Sequence, residues 1–374
     1  MPSIGIIGLG VAGLPAAANF GLKFKVKGVD KDENRVKEIN NRIYVGEEEG
    51  LLEALSKTNI EASTDIEHVK DCDMVILCLP SDSRNFTIID SVLSELNNFF
   101  RKDVVISSTV YPTFTRKMQG KYPNLKLSYV PIRTFEGKAF TQFMQFPHII
   151  GVFDDAAYER ISGFYSECGG KTVKANPPEK AELAKLFSNS FRQNEMAIAN
   201  ELAFIAKSYG QDPREVLYLT NEGDPNRRIK APGIWGGYCL GKDTIMLSKA
   251  VETDHGHVSD FLNTSEKIRL DTIRRKADEI KKNSKGGFVC IEGIACKPIE
   301  TGSTDIRNSP VLDVVEILRG EGVEVKIADP NLSDEVIEKT ASQYRAGVAR
   351  KEDFEKCSVF ARFENYDLMI KKLR

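Results

Sequence analysis

Histidine is scarce in this chain, which limits the metal chemistry to be considered. The 374 residues include four histidines and one tryptophan. His255 and His257 flank Gly256, but no cysteine or third histidine lies near them in the sequence, so a loop is favoured over a pair of metal ligands. We expect no metal site.

Cysteines are few and show no paired spacing. Seven are spread from Cys72 to Cys357, an odd number without a CxxC motif. This distribution argues for a reducing compartment and against a disulfide framework.

Long apolar runs and an excess of charge of one sign are also lacking. No apolar run approaches the roughly 20 residues needed to span a bilayer. The chain begins with the apolar Ile4-Gly5-Ile6-Ile7 and has no signal-peptide pattern, so we expect a cytoplasmic protein without a membrane partner. A net charge of −2 and a pI near 6.2 provide no field to attract nucleic acid. Hydrophobic and charged fractions of 41% and 28% are typical of a globular protein, and the length predicts two or three domains.

Glycine is abundant at the N-terminus, in an ordered pattern. A predicted strand, 3–7, leads into Gly8-Leu9-Gly10-Val11-Ala12-Gly13, followed by a predicted helix, 14–21, and a strand, 25–29, that ends at Asp30. A GxGxxG between a strand and a helix, with an acid about twenty residues on, is the dinucleotide-binding fingerprint. Asp30 would bind ribose hydroxyls and repel a 2′-phosphate, which favours NAD, whereas Arg35 leaves NADP open.

Small polar residues follow two further predicted strands. Residues 73–79 are followed by Pro80-Ser81, and residues 104–107 by Ser108-Thr109. In a parallel sheet, Ser81 and Thr109 would face the same crevice as Gly10. Each residue alone is more typical of a turn or helix cap. Shorter strands are predicted at 127–130 and 148–152.

From Pro177 the apolar period changes from two to 3.6, which predicts a long helix. Lys185, Asn189 and Arg192 fall on the side opposite its apolar stripe. A central helix of this kind would suit dimerisation. The stripe consists of Leu183, Leu186, Phe187, Phe191, Ala197, Ile198, Leu202 and Ile205.

The rest of the chain is predicted as a loop, 221–232, helical sequence, 244–282, and a second βαβ-like unit. That unit has strands at 288–292 and 323–328 around a helix at 311–319, while the last forty residues stay unassigned. The predicted fold class is α/β, with an N-terminal Rossmann domain (1–176), a central long-helix domain (177–284) and a C-terminal Rossmann-like domain (285–374).

The most informative segment is Pro232 to Asp243, which places one thiol in a glycine-rich loop. Gly233, Gly236, Gly237 and Gly241 allow close approach of backbone and ligand around Cys239. Lys242 would favour the thiolate, and Asp243 could orient a water or hold Lys242. Cys239 could equally be a small buried side chain in a turn, and the local sequence leaves both interpretations open.

With these motifs identified, the chain resembles the UDP-glucose/GDP-mannose dehydrogenase family over nearly its whole length. Seven motifs occur in the family's order: Gly8–Gly13 with Asp30, Ser108–Val110, Glu136–Ala139, Ala181–Lys185 followed by Asn189, Asn200–Ala203, Gly236–Asp243, and Asp305–Pro310. The resemblance implies NAD-dependent, four-electron oxidation of the C6 hydroxymethyl group of a nucleotide sugar. It also implies a helical, dimer-forming middle and a C-terminal domain that binds the nucleotide, so we expect a homodimer.

The resemblance also implies roles for individual residues. Cys239 would capture the C6 aldehyde as a thiohemiacetal, whose oxidation gives a thioester. The other implied catalytic residues are Lys185, which stabilises oxyanion charge, Asn189, Asp243, Thr109 and Glu136. The implied cofactor residues are Gly8, Gly10, Val11, Ala12, Gly13, Asp30, Arg35, Ser81, Thr109, Glu136, Lys242 and Arg307. The implied substrate residues are Lys185, Asn189, Arg228, Pro232, Gly236 and Lys297.

The chain departs from the family pattern at several positions. Ile132 stands where the family has a glutamate implicated in hydrolysis, so Glu136 would have to serve. Ser81 replaces a threonine, and the loop between Lys297 and Arg307 is about three residues longer by direct comparison. Tyr238 and Leu240 resemble the UDP-glucose branch, whereas segments 131–133 and 136–139 resemble the branch that oxidises UDP-N-acetylhexosamines.

UDP-glucose 6-dehydrogenase is the favoured prediction, and UDP-N-acetylmannosamine or UDP-N-acetylglucosamine 6-dehydrogenase is the alternative. A non-catalytic sensor of nucleotide sugar or NAD is a second hypothesis, prompted by Ile132. A simpler β-hydroxyacid dehydrogenase, which would need no thiol, is the third.

Overall fold

A computed structural model describes residues 2–44, 48–82, 85–135, 137–222 and 228–373. The chain divides into two compact units, Met1–Ser188 and Asn189–Arg374. The boundary between them falls inside one long helix, α8 (Glu179–Ser208).

The first unit is built on a sheet of eight strands. In spatial order they are β3 (Ile60–Ser63), β2 (Lys25–Val29), β1 (Ser3–Ile7), β4 (Met74–Leu77), β5 (Asp103–Ile106), β6 (Lys126–Tyr129), β7 (His148–Gly151) and β8 (Thr172–Ala175). All neighbouring pairs are parallel except β6 and β7. The helices are α1 (Gly13–Gly21), α2 (Glu33–Asn40), α3 (Leu51–Ser56), α4 (Thr87–Phe99), α5 (Phe114–Lys121), α6 (Ala139–Phe143), α7 (Asp155–Glu167) and the start of α8, with a 3₁₀ turn at Ile66–Val69.

Apolar packing on both faces of this sheet accounts for its parallel arrangement. Every residue of β4 and β5 is buried, as expected for inner strands covered by helices on two sides. One apolar cluster centres on Phe20 and Tyr165, and a second on Leu93 and Phe114. This is the Rossmann-type arrangement expected from the sequence. The parallel strands β1, β4 and β5 have their carboxyl ends at the same edge of the sheet.

The second unit has a five-stranded sheet in its described part. Its order is β11 (Gly347–Val348), β10 (Val325–Ala328), β9 (Val289–Glu292), β12 (Val359–Glu364) and β13 (Asp367–Lys372). β12 and β13 form an antiparallel hairpin, and the other neighbours are parallel. The remaining elements are α9 (Pro213–Glu222), α10 (Leu240–His255), α11 (Asp260–Ser284), α12 (Pro310–Gly320), α13 (Asp334–Gln343), α14 (Asp353–Lys356) and a 3₁₀ turn at Ile299–Thr301.

The predicted helical stretch 244–282 is two helices. α10 ends at His255 and is capped by Gly256, whose positive φ of 64° suits a left-handed cap, and α11 begins after Ser259. Helix α10 also starts four residues earlier than predicted, so that Cys239 stands at its N-terminal cap.

The predicted apolar stripe of α8 coincides only in part with its packed side. Leu186 and Ala197 of the stripe are buried, together with Ala199 and Ala203, whose small side chains allow close helix packing. Phe191 is 67% exposed and Ile198 49%, so the rest of the stripe lies on the outside of the chain. Within the described residues, no helix is long and apolar enough to cross a membrane.

Candidate active site

The turn after β1 has the geometry of a dinucleotide-binding loop. Gly8 has a φ of +92°, and a Cβ on Gly13 would lie 1.7 Å from the Gly8 carbonyl oxygen, so α1 packs against the turn only because both are glycine. A Cβ on Gly10 would meet no atom within 4 Å. Gly10 and Val11 are exposed and Ala12 is half-buried. This open backbone at the start of a helix suits a pyrophosphate.

Asp30 lies at the end of β2 beside this turn. Its Oδ2 accepts a hydrogen bond from Leu9 N (2.7 Å), and its Oδ1 accepts one from Asp32 N (3.0 Å). Arg35 in α2 is paired with Glu38 at 3.2 Å, which neutralises the cation that a 2′-phosphate would need. The turn and its acid therefore fit NAD.

The ends of β4 and β5 are joined through Ser108, a residue to which sequence reasoning assigned no role. Its Oγ accepts a hydrogen bond from Leu79 N at 2.8 Å. Ser81 is buried and Thr109 half-buried, each just past the end of its strand. Ser108 thus holds together the two segments that present Ser81 and Thr109.

Lys185 in α8 contacts the segment in which this chain departs from the family. Its Nζ donates to the Ile132 carbonyl oxygen at 3.0 Å. The Ile132 side chain packs against the apolar cluster around Phe20, so this position contributes a main-chain oxygen rather than a side chain to Lys185. Glu136, the substitute suggested by the sequence, lies outside the described residues.

Glu182, three residues before Lys185, fixes the start of α8 and was given no role by sequence reasoning. Its fully buried carboxylate accepts hydrogen bonds from Thr113 N (2.6 Å), Thr115 N (2.8 Å) and Thr115 Oγ1 (2.6 Å). Thr113 has a φ of +76°, a strained conformation for a β-branched residue. Burial raises the pKa of Glu182 to about 7, although the hydrogen bonds from Thr115 and Thr113 act in the opposite direction. The signal available in the sequence was an acidic residue in the first turn of the predicted helix.

In the second unit, Cys239 caps the N-terminus of the 16-residue helix α10. Its carbonyl oxygen accepts the first helical hydrogen bond, from Asp243 N at 3.0 Å. Cys239 is exposed, whereas the other six cysteines are buried or half-buried. A thiol at a helix N-terminus is stabilised as the thiolate, the nucleophilic form.

The glycines before Cys239 hold the loop against the start of α12. A Cβ on Gly236 would lie 2.6 Å from the Asn308 carbonyl oxygen, and that same oxygen accepts a hydrogen bond from Gly237 N at 2.8 Å. Gly237 has a φ of +92°. The loop conformation therefore depends on glycine at both positions.

Three polar side chains meet next to the thiol loop, the glycine-rich segment 232–239 that ends at Cys239. Asn189 Nδ2 donates to Asp243 Oδ2 at 2.6 Å, and Lys242 Nζ lies 2.7 Å from Asp243 Oδ1. Asp243 is fully buried, and the Lys242 side chain is 7% exposed. Within the described part of the chain the Lys242 ammonium has no polar partner besides Asp243, so it retains N–H groups that can donate to a ligand.

Arg307 extends this group of charges. Its guanidinium lies 4.6 Å from the centre of the Tyr238 ring and pairs with Asp305, and Lys242 Nζ lies 5.2 Å from the same ring. Both cations predicted to bind the cofactor thus contact the residue next to Cys239. Of the predicted substrate residues, Gly236, Pro232 and Lys297 are half-buried, and Arg228 is exposed.

The family models for three domains match this chain. The models for the UDP-glucose/GDP-mannose dehydrogenase family match at residues 2–168 (NAD binding domain), 179–269 (central domain) and 290–368 (UDP binding domain). The chain belongs to the UDP-glucose/GDP-mannose dehydrogenase family. The resemblance seen in the sequence is confirmed, and NAD is the cofactor.

The names of the curated relatives specify different sugars, or none. Protein CapL of Staphylococcus aureus is 30% identical over 87% of this chain and 82% of its own length. The UDP-N-acetyl-D-mannosamine dehydrogenase of Pyrococcus horikoshii is 28% identical over 87% and 83%. The UDP-glucose 6-dehydrogenase AglM of Haloferax volcanii is 28% identical over 90% and 85%.

Among solved structures, the UDP-D-ManNAc dehydrogenase of Pyrococcus horikoshii superposes with a TM-score of 0.80 at 26% identity. The match covers 90% of this chain and 86% of that one. The general activity follows from the family: the chain is an NAD-dependent UDP-sugar dehydrogenase.

Proposed function

We propose that this enzyme oxidises the C6 hydroxymethyl group of a UDP-N-acetylhexosamine, with UDP-N-acetylmannosamine as the first candidate, to the uronic acid. The observation that carries the chemistry is the exposed Cys239 at the start of α10, whose first turn also holds the buried Asp243 and Lys242, with Asn189 hydrogen-bonded to Asp243. A β-hydroxyacid dehydrogenase or a ligand sensor would have no use for this thiol and its polar support.

The reaction divides into two oxidations and a hydrolysis. NAD, when bound, accepts one hydride in each oxidation, so that alcohol, two NAD⁺ and one water yield carboxylate, two NADH and three protons. The Cys239 thiolate adds to the carbon of the intermediate aldehyde and holds it as a thiohemiacetal. Loss of the second hydride leaves a thioester on the sulfur, and attack by water releases the acid and restores the thiol.

The polar residues have distinct parts in this proposal. The Lys185 ammonium stabilises negative charge that develops on the C6 oxygen. Asn189 and Asp243 order the hydrolytic water and the thiol loop, while the Lys242 N–H groups are available to ligand. Ile132 contributes only its carbonyl oxygen, which accepts a hydrogen bond from the Lys185 ammonium.

Two features support an N-acetylhexosamine. Segment 131–133 resembles the branch that acts on these sugars, and Lys185 contacts its central residue. The relatives named UDP-N-acetyl-D-mannosamine dehydrogenase support the same choice. UDP-glucose is the second candidate, because Tyr238 and Leu240 resemble its branch and AglM is equally similar in identity.

A panel of nucleotide sugars tests the proposal. Purified enzyme and NAD⁺ are mixed with UDP-N-acetylmannosamine, UDP-N-acetylglucosamine, UDP-glucose or GDP-mannose, and NADH absorbance and sugar acid are both measured. We expect two NADH per acid and the highest kcat/KM with UDP-N-acetylmannosamine. One NADH per sugar would contradict the thiol mechanism, and preference for UDP-glucose would contradict the choice of sugar.

We also propose three domains, with boundaries near residues 176 and 284. We propose a cytoplasmic location, since all seven cysteines are thiols.

The exposed side of α8 supports a homodimer. Phe191, Ile198, Leu202 and Ile205 are 37–67% exposed along this helix. Several large exposed apolar side chains on one side of a helix mark a protein–protein interface. We propose that a second copy of this chain covers this side of α8 and buries them.

A further inference from the structure

A partly buried ionic cluster lies next to α10, the helix that begins after Cys239. Glu266 and Arg269 share one face of α11, and the Glu266 oxygens accept hydrogen bonds from Arg269 Nε (3.0 Å) and Nη2 (2.9 Å). Their side chains are only 15% and 13% exposed. Arg269 also lies 3.5 Å from Asp313 Oδ2 of α12, so the guanidinium is enclosed by carboxylates from two helices.

This cluster touches the first turn of α10. A Cβ on Gly241 would lie 3.4 Å from Arg269 Nε and 3.5 Å from Glu266 Oε2. Gly241 is two residues after Cys239, and a side-chain carbon there would be in ordinary van der Waals contact with the ion pair. The ion pair of Glu266 and Arg269 therefore lies against the first turn of α10.

Helix α8 holds the cluster and the site together. Gln193 is fully buried and donates from Nε2 to Glu266 Oε2 at 3.0 Å. Four residues earlier, one turn back on the same helix, Asn189 donates to Asp243. The first turn of α10 is thus held at Asp243 by Asn189, and at Gly241 it lies next to the cluster that Gln193 holds.

Stability alone is a weak reason for such a cluster. Desolvation of buried ions offsets much of their attraction, and apolar residues of similar volume often serve as well. A fixed geometry beneath a nucleophile is a better reason, because small displacements of a reacting group reduce rate strongly.

We propose that Glu266 and Arg269 are positioning residues for Cys239. They hold the first turn of α10 so that the helix N-terminus stays ordered beneath the thiol. This inference rests on the proposed function for its catalytic consequence, but the state of the thiol can be measured without turnover. The charged groups facing this turn, besides the cluster, are Lys242, Asp243 and, across Tyr238, Arg307.

The test compares Glu266→Ala with Glu266→Gln, which retains one acceptor oxygen. Glu279→Ala is the matched control, because Glu279 is an exposed acid on the same helix. The pH midpoint of Cys239 alkylation by iodoacetamide is measured by mass spectrometry, alongside kcat, KM and Tm. We expect Glu266→Ala to raise the midpoint by about 0.5 pH unit or more, because a frayed first turn stabilises the thiolate less. We expect kcat to fall about 10-fold or more while KM for NAD stays within about twofold, with partial rescue in Glu266→Gln.

Opposite results would overturn the inference. Removal of Glu266 also leaves Arg269 less neutralised, and this charge effect alone would lower the midpoint. A lowered or unchanged midpoint in folded Glu266→Ala therefore contradicts positioning. If that variant does not fold, Gln193→Leu decides by the same criterion, since it removes only the hydrogen bond from α8. If no UDP-sugar is turned over, the proposed function fails, whereas the alkylation profile still decides this inference.

Discussion

Asn189 Nδ2 donates a hydrogen bond of 2.6 Å to Asp243 Oδ2, across 54 positions of sequence. This contact joins α8 to the first turn of α10, four residues after the thiol. Asp243 is fully buried, so its carboxylate depends on this amide and on the adjacent Lys242 for compensation of its charge.

Asn189→Ala should therefore lower turnover. A buried acceptor that loses its donor costs about 1–3 kcal/mol, which corresponds to about 5- to 150-fold if it is expressed in kcat. Asn189→Asp should be worse at pH 8 and should recover as the pH falls, because one proton shared by two carboxylates relieves their repulsion. Steady-state kcat across pH checks both variants. An Asn189→Asp enzyme with a flat pH profile would contradict the contact's role.

Cys239→Ser should form essentially no sugar acid from UDP-N-acetylmannosamine. A serine hydroxyl is not ionised at neutral pH and cannot capture the aldehyde as a thiolate does. The matched control is Cys168→Ser, since burial raises the pKa of the Cys168 thiol to about 11 and leaves it unreactive. Acid yield is measured by chromatography after a fixed time. Normal yield from Cys239→Ser would remove the thiol from the mechanism.

Lys185→Met removes the ammonium but retains the length of the side chain. We expect kcat to fall by about 10² or more, the usual effect of losing an oxyanion donor, with the NAD dissociation constant little changed. Lys207→Met, an exposed lysine on the same helix, is the control. Calorimetric titration with NAD⁺ separates the two effects. Weakened NAD binding with unchanged kcat would place Lys185 in the cofactor site instead.

The cofactor turn could be predicted in detail from sequence because its geometry is local. Gly8 and Gly13 are five residues apart, and their contact follows from a strand–turn–helix path that few other residues permit. In the first unit, the strands β3 and β8 have no counterpart in the sequence prediction. They are short, lie at the two edges of the sheet and expose residues such as Glu61 and Lys174, so they lack the apolar runs of inner strands.

The site around Cys239 was only partly predictable. The sequence motif pointed to the thiol, Lys242 and Asp243, which are neighbours along the chain. It could not reveal that Cys239 starts a helix or that Glu266 and Arg269 lie beneath Gly241, because those contacts depend on tertiary packing. The periodicity of α8 predicted a helix correctly, but apolar period alone does not distinguish a packed side from a side that meets another chain.

The buried imidazole of His148 predicts a loss of stability in acid. It lies between Phe143 and Tyr165, and burial lowers its pKa from 6.5 to about 4. Between pH 4 and 6.5 the unfolded chain binds a proton that the folded chain does not, so the contribution is complete above pH 6.5 and is lost as the pH falls towards 4. From pH 7.5 to 5.0 this amounts to about 2 kcal/mol.

His148→Phe should abolish that part of the pH dependence. The free energy of unfolding in urea is measured at pH 7.5 and 5.0 for wild type, for this variant and for His257→Phe, an exposed control. We expect the acid-induced loss to be smaller by about 2 kcal/mol in His148→Phe only. Equal losses in all three proteins would show that His148 is not the group responsible.

The outward side of α8 gives the last prediction. Ile198 is 49% exposed in the single chain, in the middle of the apolar set that we propose to meet a second copy. Ile198→Glu would bury an unpaired carboxylate in such an interface, at a cost of several kcal/mol, and should convert the dimer to a monomer. Sedimentation velocity measures the mass, and circular dichroism checks that the fold is retained. Leu52→Glu, an equally exposed apolar position in α3, should remain dimeric. A monomeric wild type, or a dimer that tolerates Glu at 198, would show that this side of the helix does not form the contact.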